Sequence, residues 1–441
     1  MTQARYKSIV DDFATRISRG SLRPGTQLPT LRALMRERGI ALATASRVYA
    51  ELEACGLVAC EMGRGTFVRD TTLPRGLGLE QQRLQSGDID LVFNYPTLPG
   101  QDELLREGLR SIASSGDLDA LLHSAPQGGR MHERHTMARH LRNRGLRVPA
   151  EQVLIVNGAQ QGLAVSVLGL LMPGDILVMD AVTFPGMKIL AQQARLDVEA
   201  LPLSDGKIDL TALAALCKRR PVRAVYVMPS MHNPMGSVMS DVERKKLAQL
   251  AVRHRFLIIE DAAYAFLAEP APRPVFTYAS TQTVYVSGLS KSVASGLRIG
   301  MVVAPLALIP ALETAIRVSS GNTPSLMVSL ACQWIEAGIV DKLEMQKRKD
   351  ARQRQRLARS ILQGCHIRAH PSSYYLWLML ADGMRADQCA AALAQQGVMV
   401  STAEAFAAGA SAPQALRLAL GSISMEALAN ALHKVQRLCC L

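Results

Sequence analysis

Ser287-Gly-Leu-Ser-Lys-Ser-Val-Ala-Ser-Gly-Leu-Arg298 lies between two short apolar runs, Val284–Val286 before it and Ile299–Val303 after it. The first run reads as a buried strand, so Lys291 is delivered just past a strand end, with Arg298 seven residues on. A lone lysine after a strand is most often a surface charge, and its meaning rests on what surrounds it. Five more apolar runs lie upstream: Val153–Val156, Ile176–Met179, Val198–Leu203, Ala224–Met228 and Phe256–Ile259. They alternate with segments of helical pattern, which predicts an α/β domain around a mostly parallel sheet. Residues 305–360 read as mainly helical. Residues 361–441 read as a smaller α+β subdomain with strands at Tyr375–Leu380, Val398–Val400 and Ala415–Ala419.

Several side chains follow these strands in order. Asn157-Gly-Ala-Gln-Gln161 leaves a strand and opens a helix, so the backbone N–H groups of Ala159 and Gln160 point at an anion, helped by the helix dipole. Asp180-Ala-Val-Thr-Phe-Pro-Gly186 presents Phe184, Pro229-Ser-Met-His-Asn-Pro-Met-Gly236 presents Asn233, and Asp261 follows Phe256–Ile259 with Tyr264 three residues on. Each has a plainer reading alone: a core aromatic, an Asn-Pro turn, a helix cap. Together with Ala415-Leu-Arg-Leu-Ala419 and the lysine stretch, they resemble fold-type I pyridoxal-phosphate enzymes. The resemblance implies that Lys291 carries pyridoxal 5′-phosphate as a Schiff base (an aldimine). It implies that Phe184 stacks on the pyridine ring, and that Asn233 and Tyr264 reach the ring's 3-oxygen. It gives Asp261 the protonated ring nitrogen, which makes the ring an electron sink. Arg298 and Ser290, with Ser287 as a further candidate, hold the phosphate, and Arg417 clamps a ligand carboxylate. Two positions depart from the family. Gly288 stands where Ser or Thr usually binds phosphate, and His123, in His123-Ser-Ala-Pro-Gln-Gly128, stands where a tyrosine reaches across the dimer.

Residues 1–69 form a separate compositional block. Tyr6, Ile9, Val10, Phe13 and Ile17 recur at helical spacing. Thr30 can cap a second helix over about 31–38, ended by Gly39, and Thr44 a third running to about Cys55. Leu57–Cys60 and Thr66–Val68 flank Glu61-Met-Gly-Arg-Gly65 as a hairpin. Pro24-Gly-Thr-Gln-Leu-Pro-Thr30, Arg47-Val-Tyr-Ala-Glu-Leu-Glu53, Gly56-Leu57 and Gly63-Arg-Gly-Thr-Phe-Val68 resemble the GntR winged-helix family. That resemblance implies binding to double-stranded operator DNA, with Arg32, Thr44, Ser46, Arg47 and the wing-tip Arg64 as contacts. Ala41-Leu42 replaces the Ser-Arg that often precedes the recognition helix, which shifts base readout to Thr44, Ser46 and Arg47. The block carries 11 Lys/Arg against 6 Asp/Glu. Residues 70–88 lack a period and read as a linker, leaving 89–441 for the aminotransferase-like domain.

Over 441 residues the formal net charge is +13, which suits an acidic partner without specifying a fold. The 49% of apolar residues argues against disorder. Eight scattered cysteines without a CxxC pair read as reduced thiols. Neither a secretory signal nor an apolar run of about 20 residues is visible, so a soluble, cytoplasmic protein with no membrane partner is expected. The two resemblances combined are those of the MocR subfamily of transcription regulators. The implied protein is a homodimer that binds DNA and senses pyridoxal phosphate, a small amino compound, or both. The alternative is a working pyridoxal-phosphate aminotransferase with an accessory DNA-binding domain. Effector, operator and sign of regulation are not legible.

Overall fold

The apolar spacing at the N-terminal end becomes helix. The computed structural model describes residues 2–61, 64–69, 88–114, 118–409 and 412–440, and its first helix, α1 (Thr2–Ser18), buries Tyr6, Ile9, Val10, Phe13 and Ile17. Helix α2 (Leu31–Arg38) is capped as predicted. Thr30 Oγ1 accepts from Ala33 N at 3.2 Å, and Gly39 ends the helix at φ 56°, a conformation glycine adopts at little cost. Helix α3 (Leu42–Ala54) starts two residues earlier than its predicted cap. The N–H groups of Thr44 and Ala45 both close on the Ala41 carbonyl, so Thr44 lies inside the first turn and Ala41 caps without a side chain. Ala45, Val48, Tyr49 and Leu52 face inward against α1. Strands β1 (Val58–Glu61) and β2 (Gly65–Val68) pair antiparallel as the wing. Met62 and Gly63 of the predicted hairpin, and the predicted linker from 70 to 87, lie outside the described residues.

Seven strands build the large sheet. Their order is Val153–Val156, Gly300–Val303, Thr283–Gly288, Leu257–Asp261, Val222–Val227, Ile176–Asp180 and Asp197–Leu201. Gly300–Val303 runs antiparallel to both neighbours and the other pairings are parallel. Every residue of Val153–Val156 and Ile176–Asp180 is buried, as expected of strands covered on both faces. The predicted run Val198–Leu203 breaks after Leu201 at Pro202, and Leu203–Ser204 turns back as a separate hairpin strand.

The smaller subdomain carries His366–Arg368, Tyr375–Met379, Ala415–Ala419 and Ser401–Thr402 in one sheet. Val398–Met399 does not join it. It pairs in parallel with Ile89–Asp90 instead, and the fully buried Leu91 enters the same core, so the chain after residue 88 belongs first to this subdomain. Cys365 and Cys440 are bonded, which corrects the reading of eight free thiols. The helix Met425–Cys439 returns across the subdomain and brings two Cα atoms 75 residues apart to 5.3 Å, within bridging range. The winged module rests on this subdomain. Arg69 pairs with Glu404 at 2.5 Å, and the Arg385 guanidinium lies 5.0 Å from the Phe67 ring centre. Among the described residues no helix is long and apolar enough to cross a membrane.

Candidate functional site

One cavity of about 370 Å³ opens beyond the C-terminal ends of the parallel strands. Open α/β sheets collect their ligand-binding groups there, because each strand hands its next few residues to the same edge. Ala159, Gln160, Phe184, Asn233, Asp261, Tyr264, Ser290, Lys291, Arg298 and Arg417 all line it. Ser287 does not. It is buried within its strand, three residues short of the turn that exposes Ser290.

At one end the chain makes an anion cradle. Gly158, at φ 81°, opens the helix Gly158–Leu170, and Arg298 Nη2 donates to the Asn157 carbonyl at 3.1 Å. A side chain on Gly158 would meet the Arg298 guanidinium and the Ser290 hydroxyl. Gly288 is explained by the same crowding. A Cβ there would sit 3.2 Å from both Ala159 N and the Ile299 carbonyl, so the strand passes close behind the cradle. Gly300 is tighter still, with a Cβ only 2.5 Å from the Gly158 carbonyl carbon. Gly300→Ala is expected to cost about 1–3 kcal/mol of stability by overpacking. It should also weaken phosphate-ligand binding, read by urea unfolding and by equilibrium titration.

At the other end Asp261 closes its strand. Its Oδ2 accepts from the Tyr226 hydroxyl at 2.7 Å and its Oδ1 from Ala263 N at 2.9 Å. Burial raises its carboxyl above the ordinary range, opposed by those two donors. Lys291 Nζ donates to the Asn94 carbonyl at 2.7 Å and lies 5.2 Å from the Tyr95 ring centre and 6.0 Å from that of Tyr264. Arg417 is buried in its strand, donates to the Val92 carbonyl at 2.6 Å, and sits against the rings of Tyr375 and Phe406. Burial lowers its guanidinium, with Tyr264 the first opposing influence.

Four buried polar atoms of cavity-lining residues have no protein partner: Asn94 Nδ2, Asn233 Oδ1, Ser290 Oγ and Arg417 Nε. Buried polar atoms seldom go unpaired. The cavity therefore fits a ligand that is polar at several separated points and flat enough to lie on Phe184. Pyridoxal phosphate with a carboxylate-bearing partner has that pattern, so the residues fit the group. Gly186 supports it, since a Cβ there would strike the Phe184 ring at 2.5 Å. Sequence reasoning missed Val92–Tyr95, Ser295 and Phe406, which also line the cavity. Val92–Tyr95 come from the segment beyond the linker and Phe406 from the small subdomain, where no local motif marks them, whereas Ser295 lies within the lysine stretch itself. His123 is exposed, paired with Asp119 at 3.4 Å, and outside this chain's cavity.

On the winged module, Ser46 and Arg47 are exposed on α3 and Thr44 is half-buried. Arg47 stacks over the Tyr6 ring at 4.3 Å, which fixes its direction from the helix. Arg32 is exposed on α2, and Arg64 is exposed beside β2, its carbonyl accepting from Gln27 Nε2 at 2.7 Å.

Residues 87–435 match the family described as aminotransferase class I and II, and residues 5–68 match the bacterial regulatory proteins of the gntR family. The chain belongs to the aminotransferase class I and II family and carries a GntR-type helix-turn-helix module ahead of it. This is the MocR-like architecture of DNA-binding regulators. The HTH-type transcriptional regulator YdeF of Bacillus subtilis is 25% identical over 435 residues, spanning 98% of this chain and 94% of the relative. YjiR of Escherichia coli, another HTH-type regulator, is 24% identical over 468 residues, spanning 98% of each. In fold, the kynurenine aminotransferase of Pyrococcus horikoshii, solved with PMP, is similar at a TM-score of 0.74 and 23% identity, covering 79% of this chain and 90% of that one.

Proposed function

We propose that this chain is a cytoplasmic, homodimeric transcription regulator that holds pyridoxal 5′-phosphate at Lys291 and binds operator DNA in response to a vitamin B6 form or a small amino compound. The observation that carries the reading is the convergence of Lys291, Asp261, Asn233, Arg298 and Arg417 on one cavity in a chain that begins with a GntR-type module. When bound, the cofactor supplies an electrophilic carbon and a ring that accepts electron density. The chain's own residues do the rest. Ala159 and Gln160 N–H groups, Ser290 and Arg298 bind the phosphate. Phe184 supports one ring face, Asn233 and Tyr264 meet the ring oxygen, and Asp261 holds the nitrogen's proton. Arg417 takes the ligand's carboxylate.

The response to ligand has a route to the DNA-binding module. Phe406 lies beside Arg417, and two residues earlier Glu404 pairs with Arg69 at the end of β2. A ligand that binds differently to two positions of the small subdomain shifts the placement of the winged helices by that difference in affinity. The proposed linker at 70–88 completes the connection, and Arg32, Thr44, Ser46, Arg47 and Arg64 meet the duplex.

Reconstitution with pyridoxal phosphate tests this. Wild-type protein is expected to gain an absorbance band at about 420 nm, and Lys291→Ala to lack it. A wild-type protein without the band would overturn the reading. The complete set of Lys291, Asp261 and Arg417 in one cavity also favours the alternative, a working aminotransferase with an accessory DNA-binding domain. Turnover above about 1 s⁻¹ on any amino acid of a panel, with no enrichment of a sequence from random duplex DNA, would decide for it.

A further inference from the structure

Lys347 is the most deeply placed cation in the neighbourhood of the cavity. It sits on the long helix Ile339–Ile361, is 0% exposed, and donates to the carbonyls of Val293 at 2.5 Å, Pro96 at 2.6 Å and Lys291 at 3.3 Å. Those three bonds match the three donors of an ammonium. The charged groups that act on it are Lys291, Asp350 and Glu344. Asp350 is bonded to Arg354 and Glu344 to Arg144, so neither carboxylate is dedicated to Lys347. Burial first, and then the charge of Lys291, push its ammonium down to about 7.

The acceptors are informative. Pro96 ends the segment whose Asn94 carbonyl receives the Lys291 amine, and Lys291 and Val293 frame the reactive turn itself. One buried cation therefore ties together the turn that carries Lys291 and the segment where its free amine rests. The same helix, two turns on, anchors the small subdomain. Arg354 Nη1 donates to the carbonyls of Leu420 and Ile423, and Gln355 Nε2 to those of Ser373 and Tyr375.

We propose that Lys347 is a positioning residue for Lys291, pinning its turn both to the helix that bears the small subdomain and to the segment that receives the Lys291 amine. The inference rests on the reading of Lys291 as the attachment point. Attachment joins the Lys291 nitrogen to the aldehyde carbon and releases the aldehyde oxygen as water, and it requires the turn that carries the amine to stay where that carbon is presented. Three bonds from one buried side chain hold that turn and the Pro96 carbonyl together.

The test uses the full chain with pyridoxal phosphate as probe and three variants, Lys347→Met, Lys347→Gln and Lys347→Arg. In a Met or Gln variant that keeps the wild-type circular dichroism, the half-saturating pyridoxal phosphate concentration should rise at least about tenfold. Lys347→Arg, which keeps donors for the three carbonyls, should bring the half-saturating concentration back to within about threefold of wild type. Unchanged affinity in a folded Met or Gln variant overturns the inference, and so does a folded Arg variant that recovers none of the loss. So does failure of both neutral variants to fold, with or without a folded Arg variant, because the role is then structural. A wild-type chain that never forms the band removes the underlying reading instead, and the two failures are thereby distinguished.

Discussion

Asp261→Asn is expected to raise the half-saturating pyridoxal phosphate concentration about 100-fold while leaving the fold in place. The substitution keeps the size of the side chain and an oxygen able to accept from the Tyr226 hydroxyl, which donates at 2.7 Å. It removes the charge and puts an amide NH2 where the other oxygen accepts from Ala263 N. Asp261 is buried, and burial raises its carboxyl while the Ala263 N–H and the Tyr226 hydroxyl favour the charged form against that rise. Such an arrangement is costly unless a cation completes it, and the proposed cation is the protonated ring nitrogen. Truncating one partner of a buried, hydrogen-bonded charge pair costs about 2–5 kcal/mol, which contains the 100-fold change. Titration of the band at about 420 nm measures it. A change below about threefold would show that Asp261 does not face the ring nitrogen.

Arg244→Met should be the most destabilising single change, lowering stability by about 3–5 kcal/mol in urea unfolding. Arg244 is fully buried on the helix Asp241–His254, and its guanidinium donates to the carbonyls of Met239, Arg273 and Pro229 and to the Ser230 hydroxyl. Glu260, also fully buried, lies 3.9 Å away and accepts from the N–H groups of Val275 and Phe276. Without Arg244, four acceptors lose a donor and one carboxyl loses its nearby cation, although Glu260 keeps its two N–H donors and Pro229 keeps the Met239 N–H. Burial raises the Glu260 carboxyl to about 7, with Arg244 the first influence holding it down. A folded pKa above the unfolded one means that the group favours folding while protonated, below its ordinary 4.5, and that this contribution is lost as pH rises through 7. Arg244→Met pushes the carboxyl further up, so its penalty should be level below about pH 6 and grow between about pH 6 and pH 8. Adding Glu260→Gln should recover part of the loss at the upper end. A penalty that is flat across that range would mean Arg244 acts through its carbonyl bonds alone. Those bonds hold Pro229 and Ser230, the residues that lead into Asn233, so the variant should also weaken cofactor binding.

Much of the site was legible because its groups follow strands in sequence. Asn157, Phe184, Asn233, Asp261 and Lys291 each lie within a few residues of a buried apolar run, and a parallel sheet brings the ends of such runs to one edge. The helices of the winged module were legible for a related reason: their apolar periods and the Thr30 cap are local. The start of α3 was not, because Ala41 closes that helix with its backbone carbonyl and leaves no side-chain signal.

Lys291 can be placed after its strand from the chain alone, and so can Arg298 beside it. Sequence order determines which residues leave which strand, since strand and turn formation depend on near neighbours. Only the tertiary structure decided what surrounds Lys291. The Asn94 carbonyl 197 residues away, the Lys347 ammonium beneath its turn, and Phe406 two residues from the contact with Arg69 belong to segments that approach when the small subdomain folds over the sheet edge. Gly288 and Gly300 show the same division. Gly288 is a departure as a letter, but only the fold shows that two adjacent strands pass close to the Gly158–Ala159 turn, leaving no room for a side chain at Gly300 and little at Gly288.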